Sequence, residues 1–139
     1  MPPTSRTTLE RPLASVDTVV LTEENGVLSV ALVKRTHDPF KDFWALPGGI
    51  VRPHSDRSVE DTARAVLARR LGPSRFHIEQ LATFSGPDRD PDGWSICVAH
   101  LAVVPRSALC DMKRGVRLFP ASDLPEVAFD HAQIIAAAV

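Results

Sequence analysis

Trp44-Ala-Leu-Pro-Gly-Gly-Ile50, followed shortly by Ser58-Val-Glu-Asp-Thr-Ala-Arg-Ala-Val-Leu-Ala-Arg-Arg-Leu-Gly72, is the stretch that decides the fold. The second part reads as a helix from about Ser58 to Leu71. Ser58 can cap it, and Glu60 and Asp61 in the first turn suit the positive end of the helix dipole. Val59, Ala63, Val66, Leu67 and Leu71 recur at helical spacing on one face. Arg69 and Arg70 suit the last turn, and Gly72-Pro73 stops the helix. The first part, with Leu46-Pro-Gly-Gly49, reads as loop around a short strand.

Outward from this segment the pattern changes from helical to alternating. Val16, Thr18, Val20 and Thr22 alternate with Asp17, Val19 and Leu21. The Glu24-Asn25-Gly26 turn leads into Leu28–Arg35, and two β-branched runs joined by Asn-Gly predict a hairpin. Phe76–Phe84 and Trp94–Val104 read as strands separated by the polar loop Ser85–Gly93. A shorter strand near Gly115–Phe119 and a last helix from about Asp130 follow. Strands, one helix, strands and a final helix predict a mixed α/β domain. The 139 residues suit one domain, since about 100–200 per domain is usual. Residues 1–14 are expected to be a flexible N-terminal segment and 15–139 the folded domain. Twelve prolines predict numerous, stiff loops.

Charge and composition exclude several classes. Sixteen basic against 17 acidic side chains rule out gripping nucleic acid by net charge alone. No apolar run approaches the ~18 residues of a membrane span, and the polar start has no secretory apolar core. Cys97 and Cys110 form no metal-ligand spacing and read as ordinary buried residues. A cytoplasmic chain with no membrane partner is expected.

The glycine pair ahead of an amphipathic helix resembles the Nudix family, whose signature is G-x5-E-x7-R-E-U-x-E-E-x-G-U, with U a bulky aliphatic residue. The resemblance implies a Nudix fold, a mixed β-sheet sandwiched between helices (α/β/α). In that box, glutamates on one helical face hold Mg²⁺ or Mn²⁺ beside a diphosphate. The metals neutralise the phosphates and activate water. Here the frame survives and the ligands do not. Counting from Gly49, the first Glu falls on Ser55, or on Asp56 with one extra loop residue. Aligning Arg64 with the box Arg places Ala65, Ala68 and Arg69 at the later glutamate positions. Aligning Gly72 with the closing Gly gives Val66, Arg69 and Arg70. Neither register offers a carboxylate there, and arginines repel a divalent cation. No metal site is expected.

Three further stretches narrow the resemblance. Leu81–Trp94 with its Asp88-Arg89-Asp90-Pro91 loop, the strand after it, and Leu124–Ile135 with its Phe129-Asp130-His131 corner are similar to the NrtR group of Nudix-related transcriptional regulators. The resemblance covers about residues 15–137. It implies binding of ADP-ribose or a related nucleotide, with little or no hydrolysis, in a homodimer linked to NAD metabolism. DNA would be a partner only through a winged-helix domain following in a longer protein. The final helix, lacking a stop signal, is expected to be cut from such a chain or to end a stand-alone relative.

Candidate ligand-binding residues are Trp44, Gly48, Gly49, Arg52, Arg64, Asp88 and Arg89. The glycines could admit a pyrophosphate or form a tight turn. Arg52, Arg57 and Arg64 could pair with phosphates or be solvated surface charges. Trp44 and Trp94 could stack on adenine or belong to the core. Asp88, Arg89, Asp90 and Asp92 could touch ribose hydroxyls, form a dimer contact or build a rigid turn. Asp130 reads as a helix N-cap and His131 as a first-turn surface residue. The alternative is a Mg-dependent hydrolase of a nucleoside diphosphate derivative, recruiting carboxylates from Asp56, Glu60, Asp61 or Glu79. Glu60 and Arg64 equally read as a surface i,i+4 pair. A third reading is an interaction module using the fold as a dimer platform without a ligand.

Overall fold

β1 (Leu13–Glu24) runs through the middle of a seven-stranded mixed sheet whose main path is β3-β2-β1-β6-β5. The computed structural model describes residues 10–73 and 75–139. Most of the expected flexible segment, residues 1–9, lies outside them. Leu13 and Ala14, placed in that segment from sequence, pair with Ser95 and Ile96 and belong to the sheet. The other elements are β2 (Val27–Lys34), β3 (Trp44–Ala45), β4 (Gly48–Ile50), α1 (Val59–Leu71), β5 (Glu79–Gly86), β6 (Ser95–Val103), β7 (Val116–Pro120) and α2 (His131–Ala138). A short 3-10 turn at Arg106–Leu109, unseen in the sequence pattern, leads towards β7.

The alternation along β1 sorts the core into two layers. Val16 and Val20 face one side, packing with Ala63, Leu67 and Leu71 of α1 and with Phe76, Ile78 and Leu109. Val19 and Leu21 face the other, against Ile134 and Ile135 of α2. Period-2 side chains in a strand buried on both faces give this α/β/α sandwich, as the sequence implied. Fully burying one such aliphatic side chain contributes about 1.5–3 kcal/mol.

Local chemistry fixes the ends of the elements. Asn25 and Gly26 adopt φ of 54° and 79°, which the primed hairpin turn between β1 and β2 requires. The Ser58 hydroxyl accepts the Asp61 N–H at 3.1 Å, capping α1. Gly72 ends α1 at φ 92°, where a Cβ would meet Asp111 at 2.7 Å.

β1 and β2 do not stay together along their length. They pair from Leu21↔Val30 to Glu24↔Val27 and then diverge. β3 takes over the end of β2 through Val33↔Ala45, and β4 takes over the start of β1 through Asp17↔Gly48. The peptide Leu46-Pro47 bridges the split, with the Pro47 carbonyl accepting Thr18 N–H at 3.0 Å. This split places the glycine pair in the middle of the molecule, between two cavities.

Candidate functional site: two cavities on either side of β4

Gly48 and Gly49 belong to β4, which Val16 and Asp17 hold in register. A Cβ on Gly48 would collide with the Asp17 carboxylate and lie 2.6 Å from the Val16 carbonyl. Glycine is therefore required at 48 by the close packing of β4 on β1. Gly49, whose Cβ would meet only Val66 at 3.5 Å, lines both cavities.

The first cavity is an open groove of about 580 Å³ between β4 and α1. Arg52, Ser55, Asp56, Ala65 and Arg69 line it together with Gly49. Asp56 Oδ2 accepts the Arg52 N–H at 3.0 Å and the Thr62 hydroxyl at 2.8 Å, tying the loop to the helix. Those two hydrogen bonds hold its carboxyl below the ordinary aspartate value. Asp61 Oδ2 accepts the Arg57 N–H at 2.9 Å. Arg64, on the groove wall, donates Nη1 to the Phe76 carbonyl at 2.9 Å and lies 3.6 Å from Glu60. Partial desolvation, followed by the charges of Arg52 and Arg70, pushes the Arg69 guanidinium below its ordinary value.

Divalent metal does not fit this donor set. The α1 positions lining the groove are Asp61, Thr62, Arg64, Ala65, Val66 and Arg69, a single carboxylate among them. The groove's two carboxylates, Asp56 and Asp61, each already accept local backbone donors. Glu60 is exposed beside Arg64, and Glu79 sits in β5 opposite Leu101, lining neither cavity. Among the described residues no three His, Cys, Asp or Glu side chains gather in a metal-holding group.

The second cavity, about 170 Å³, lies on the other side of β4. Asp17 and His131 form its floor, and Arg35, Arg89, Asp90 and Phe129 are among its walls. The sequence reading placed His131 at the surface; it is 3% exposed. Its Nδ1 accepts the Leu46 N–H at 3.0 Å, the amide exposed by the divergence of β1 and β2. Nε2 then carries the ring proton and points at Asp17 Oδ2, 3.4 Å away. Cys97 donates its thiol to the same oxygen at 3.0 Å. Burial alone would raise the Asp17 pKa, but His131, Cys97 and the nearby Arg89 hold it below the ordinary value. Burial and the Asp17 carboxylate push the Cys97 thiol well up, so it remains a donor.

Arg89 closes this polar core. Its Nε and Nη2 fork onto Asp130 at 2.9 and 2.7 Å, and Nη1 reaches the Ser95 hydroxyl at 2.8 Å. Asp130 stands at the N-terminus of α2, but its side chain caps no helix N–H. The Arg89 fork occupies it instead. Phe129 on the cavity wall and Phe40 behind it adopt left-handed φ of 53° and 62° with ring centroids 4.8 Å apart. Arg35 sits 4.9 Å over the Phe129 ring. Left-handed φ in bulky residues costs backbone energy, and such strain gathers at ligand sites.

The candidates from sequence thus separate. Gly48, Gly49 and Arg89 meet at the smaller cavity, and Gly49, Arg52 and Arg64 at the groove. Asp88 lies in an outer depression with Arg89, Phe129 and Asp130. Trp44 lines neither cavity; its ring packs 4.8 Å from Phe119 and beneath Arg117. Cys110, expected to be buried, is exposed. The sequence reading missed the sites of Asp17, Cys97 and Arg35, because no local spacing links them to the glycine pair.

The fold and the loop–helix groove define an α/β/α domain of the Nudix type. No protein-family model matches the chain. It is 32% identical over 130 residues to the ADPR responsive transcriptional repressor NtrR of Acinetobacter baylyi, covering 89% of this chain and 52% of that protein. It is 32% identical over 126 residues to an ADP-ribose pyrophosphatase of Methanocaldococcus jannaschii, covering 89% of this chain and 71% of the enzyme. The Nudix domain of Shewanella oneidensis NrtR, solved with ADP-ribose, matches with a TM-score of 0.83 and 32% identity, covering 99% of this chain and 90% of that one. The chain belongs to the Nudix family and within it resembles the NrtR-type regulators. It spans about half the length of the Acinetobacter baylyi repressor.

Proposed function

We propose that this chain is a degenerate Nudix domain that binds ADP-ribose or a related nucleoside diphosphate derivative and senses it with little or no hydrolysis. One observation carries the reading. The box frame of glycine pair and capped helix is intact, while the later glutamate positions fall on Ala65, Ala68 and Arg69 in one register or Val66, Arg69 and Arg70 in the other, and Ala65, Val66 and Arg69 of these line the groove. On this reading the groove takes a diphosphate but lacks the charge that would hold two divalent cations and activate water. Resemblance to a regulator and to a protein solved with ADP-ribose supports the ligand class. Homodimerisation, a cytoplasmic setting and DNA contact through a further domain in a longer chain belong to the same proposal. No helix among the described residues is long and apolar enough to cross a membrane.

The smaller cavity suits the nucleoside part. Asp90 and Asp92 offer acceptors for ribose hydroxyls, and Phe129 under Arg35 offers an aromatic wall. Calorimetry with ADP-ribose in chelator should give saturable binding; no heat at millimolar ligand overturns the proposal. Release of AMP from ADP-ribose with Mg²⁺, lost in Glu60→Gln, would establish the hydrolase reading instead.

A further inference from the structure

Three observations on the groove point the same way. Arg52 and Arg69 line it from opposite elements, the loop after β4 and the last turn of α1. Neither guanidinium makes an ion pair with a carboxylate among the described residues, whereas Arg64 has Glu60 and Arg89 has Asp130. The two acids that share the groove are engaged locally, Asp56 with Arg52 N–H and Thr62 Oγ1 and Asp61 with Arg57 N–H. The result is a groove of about 580 Å³ lined by three arginines and two aspartates, in which Arg52 and Arg69 have no carboxylate ion-pair partner among the described residues. Like charges held together without a partner cost free energy, and an anion between them removes that cost.

We infer that the groove between β4 and α1 is a metal-independent phosphate site in which the Arg52 and Arg69 guanidiniums take the place of divalent cations. Resting on the nucleotide-binding reading, this places the ligand's phosphates on the α1 side of β4 and its nucleoside on the α2 side. Gly49, lining both cavities, is where the ligand crosses. With no Cβ there, a phosphate can approach the strand closely. Guanidinium forks match phosphate oxygens in pairs, so binding needs no metal and is weakened by salt. The same substitution that forbids the metal thus supplies the anion's partner.

Two probes test it on the full chain, inorganic pyrophosphate and ADP-ribose, both in chelator. Thermal shift with pyrophosphate should show stabilisation that salt abolishes, because a ligand of the native state raises stability by mass action. Calorimetry with ADP-ribose should show Arg52→Gln and Arg69→Gln weakening affinity at least tenfold each, with Mg²⁺ giving no gain in the wild type. The exposed Arg114, which lines neither cavity, supplies the control variant Arg114→Gln, with affinity unchanged. Circular dichroism verifies that each variant is folded. Undiminished ADP-ribose binding in both groove variants overturns the phosphate site and leaves the nucleotide reading standing. Pyrophosphate binding lost in the variants, without ADP-ribose binding by the wild type, upholds the site and overturns the nucleotide reading. A wild type that responds to neither probe overturns both.

Discussion

On the α1 side of β4 the carboxylates find their partners among near neighbours in sequence. Asp56 accepts from Arg52 and Thr62, Asp61 from Arg57, and Glu60 faces Arg64 one turn on. On the α2 side the partners come from far apart: Asp17 with Cys97 and His131, Leu46 with His131, Arg89 with Asp130. The first region is solvated, and its excess cations can wait for a ligand. The second is buried beneath a cavity, and each polar group must find its partner within the protein. Changes to the buried polar core on the α2 side should therefore act on stability, and changes to the groove arginines on the α1 side on binding with little cost in stability.

The largest expected effect breaks the Arg89–Asp130 fork. These side chains are 9% and 14% exposed, so removing the carboxylate leaves a guanidinium poorly solvated and unpaired. Asp130→Ala should cost about 3 kcal/mol in urea unfolding, the low end for a buried pair because the cavity mouth admits water. The double change Arg89→Leu with Asp130→Leu should recover part of that loss, since apolar replacement of a buried pair is often neutral. A loss under about 1 kcal/mol in the single variant would show that Arg89 is solvated like the groove arginines, and the contrast between the two sides would fail.

A smaller effect follows from Asp17. Its pKa in the folded chain lies below the ordinary value, so the unfolded chain takes up a proton first as pH falls. Stability from this group is therefore present above the unfolded value near 3.8 and is lost as pH drops towards the folded one. One group contributes at most about 1.4 kcal/mol per pH unit to that slope. Asp56 is shifted in the same direction and contributes in the same acid window. Stability measured by unfolding below pH 4 should thus fall less steeply with decreasing pH in Asp17→Asn than in the wild type, with the Asp56 part remaining. Equal slopes would mean that His131 and Cys97 do not favour the charged Asp17.

The same contrast explains what the sequence made legible. Ser58, the apolar stripe of α1, Gly72, the Asn25-Gly26 hairpin and the alternation along β1 are local patterns, and each appears in the structure close to its expected place. The reading that carboxylates are missing from the box positions also came from local counting. The α2-side core was not legible, because its members depend on β1 lying parallel to β6 and on the split between β1 and β2. His131 looked like a first-turn surface residue since nothing in its neighbourhood announces the Leu46 amide that it caps. Trp44 shows the converse: a residue type suited to stacking on adenine, placed by β3 against Phe119.

The smallest expected effect sharpens the comparison from the groove side. Arg69 is crowded by Arg52 and Arg70, with Asp56 opposing them. Replacing it with glutamine removes this repulsion and deletes no ion pair among the described residues. Surface changes of this kind stay within about 0.5 kcal/mol, so Arg69→Gln should leave stability unchanged or raise it slightly. Any gain should vanish at molar salt, where the Debye length falls to about 3 Å. The unfolding midpoint of wild type and variant at low and high salt measures this directly. A substantial, salt-independent destabilisation would assign Arg69 a structural role like that of Arg89. A neutral or stabilising change, together with weakened ADP-ribose binding, is the signature of a cation kept for a ligand: it lowers the stability of the free protein and is satisfied only when the groove is filled.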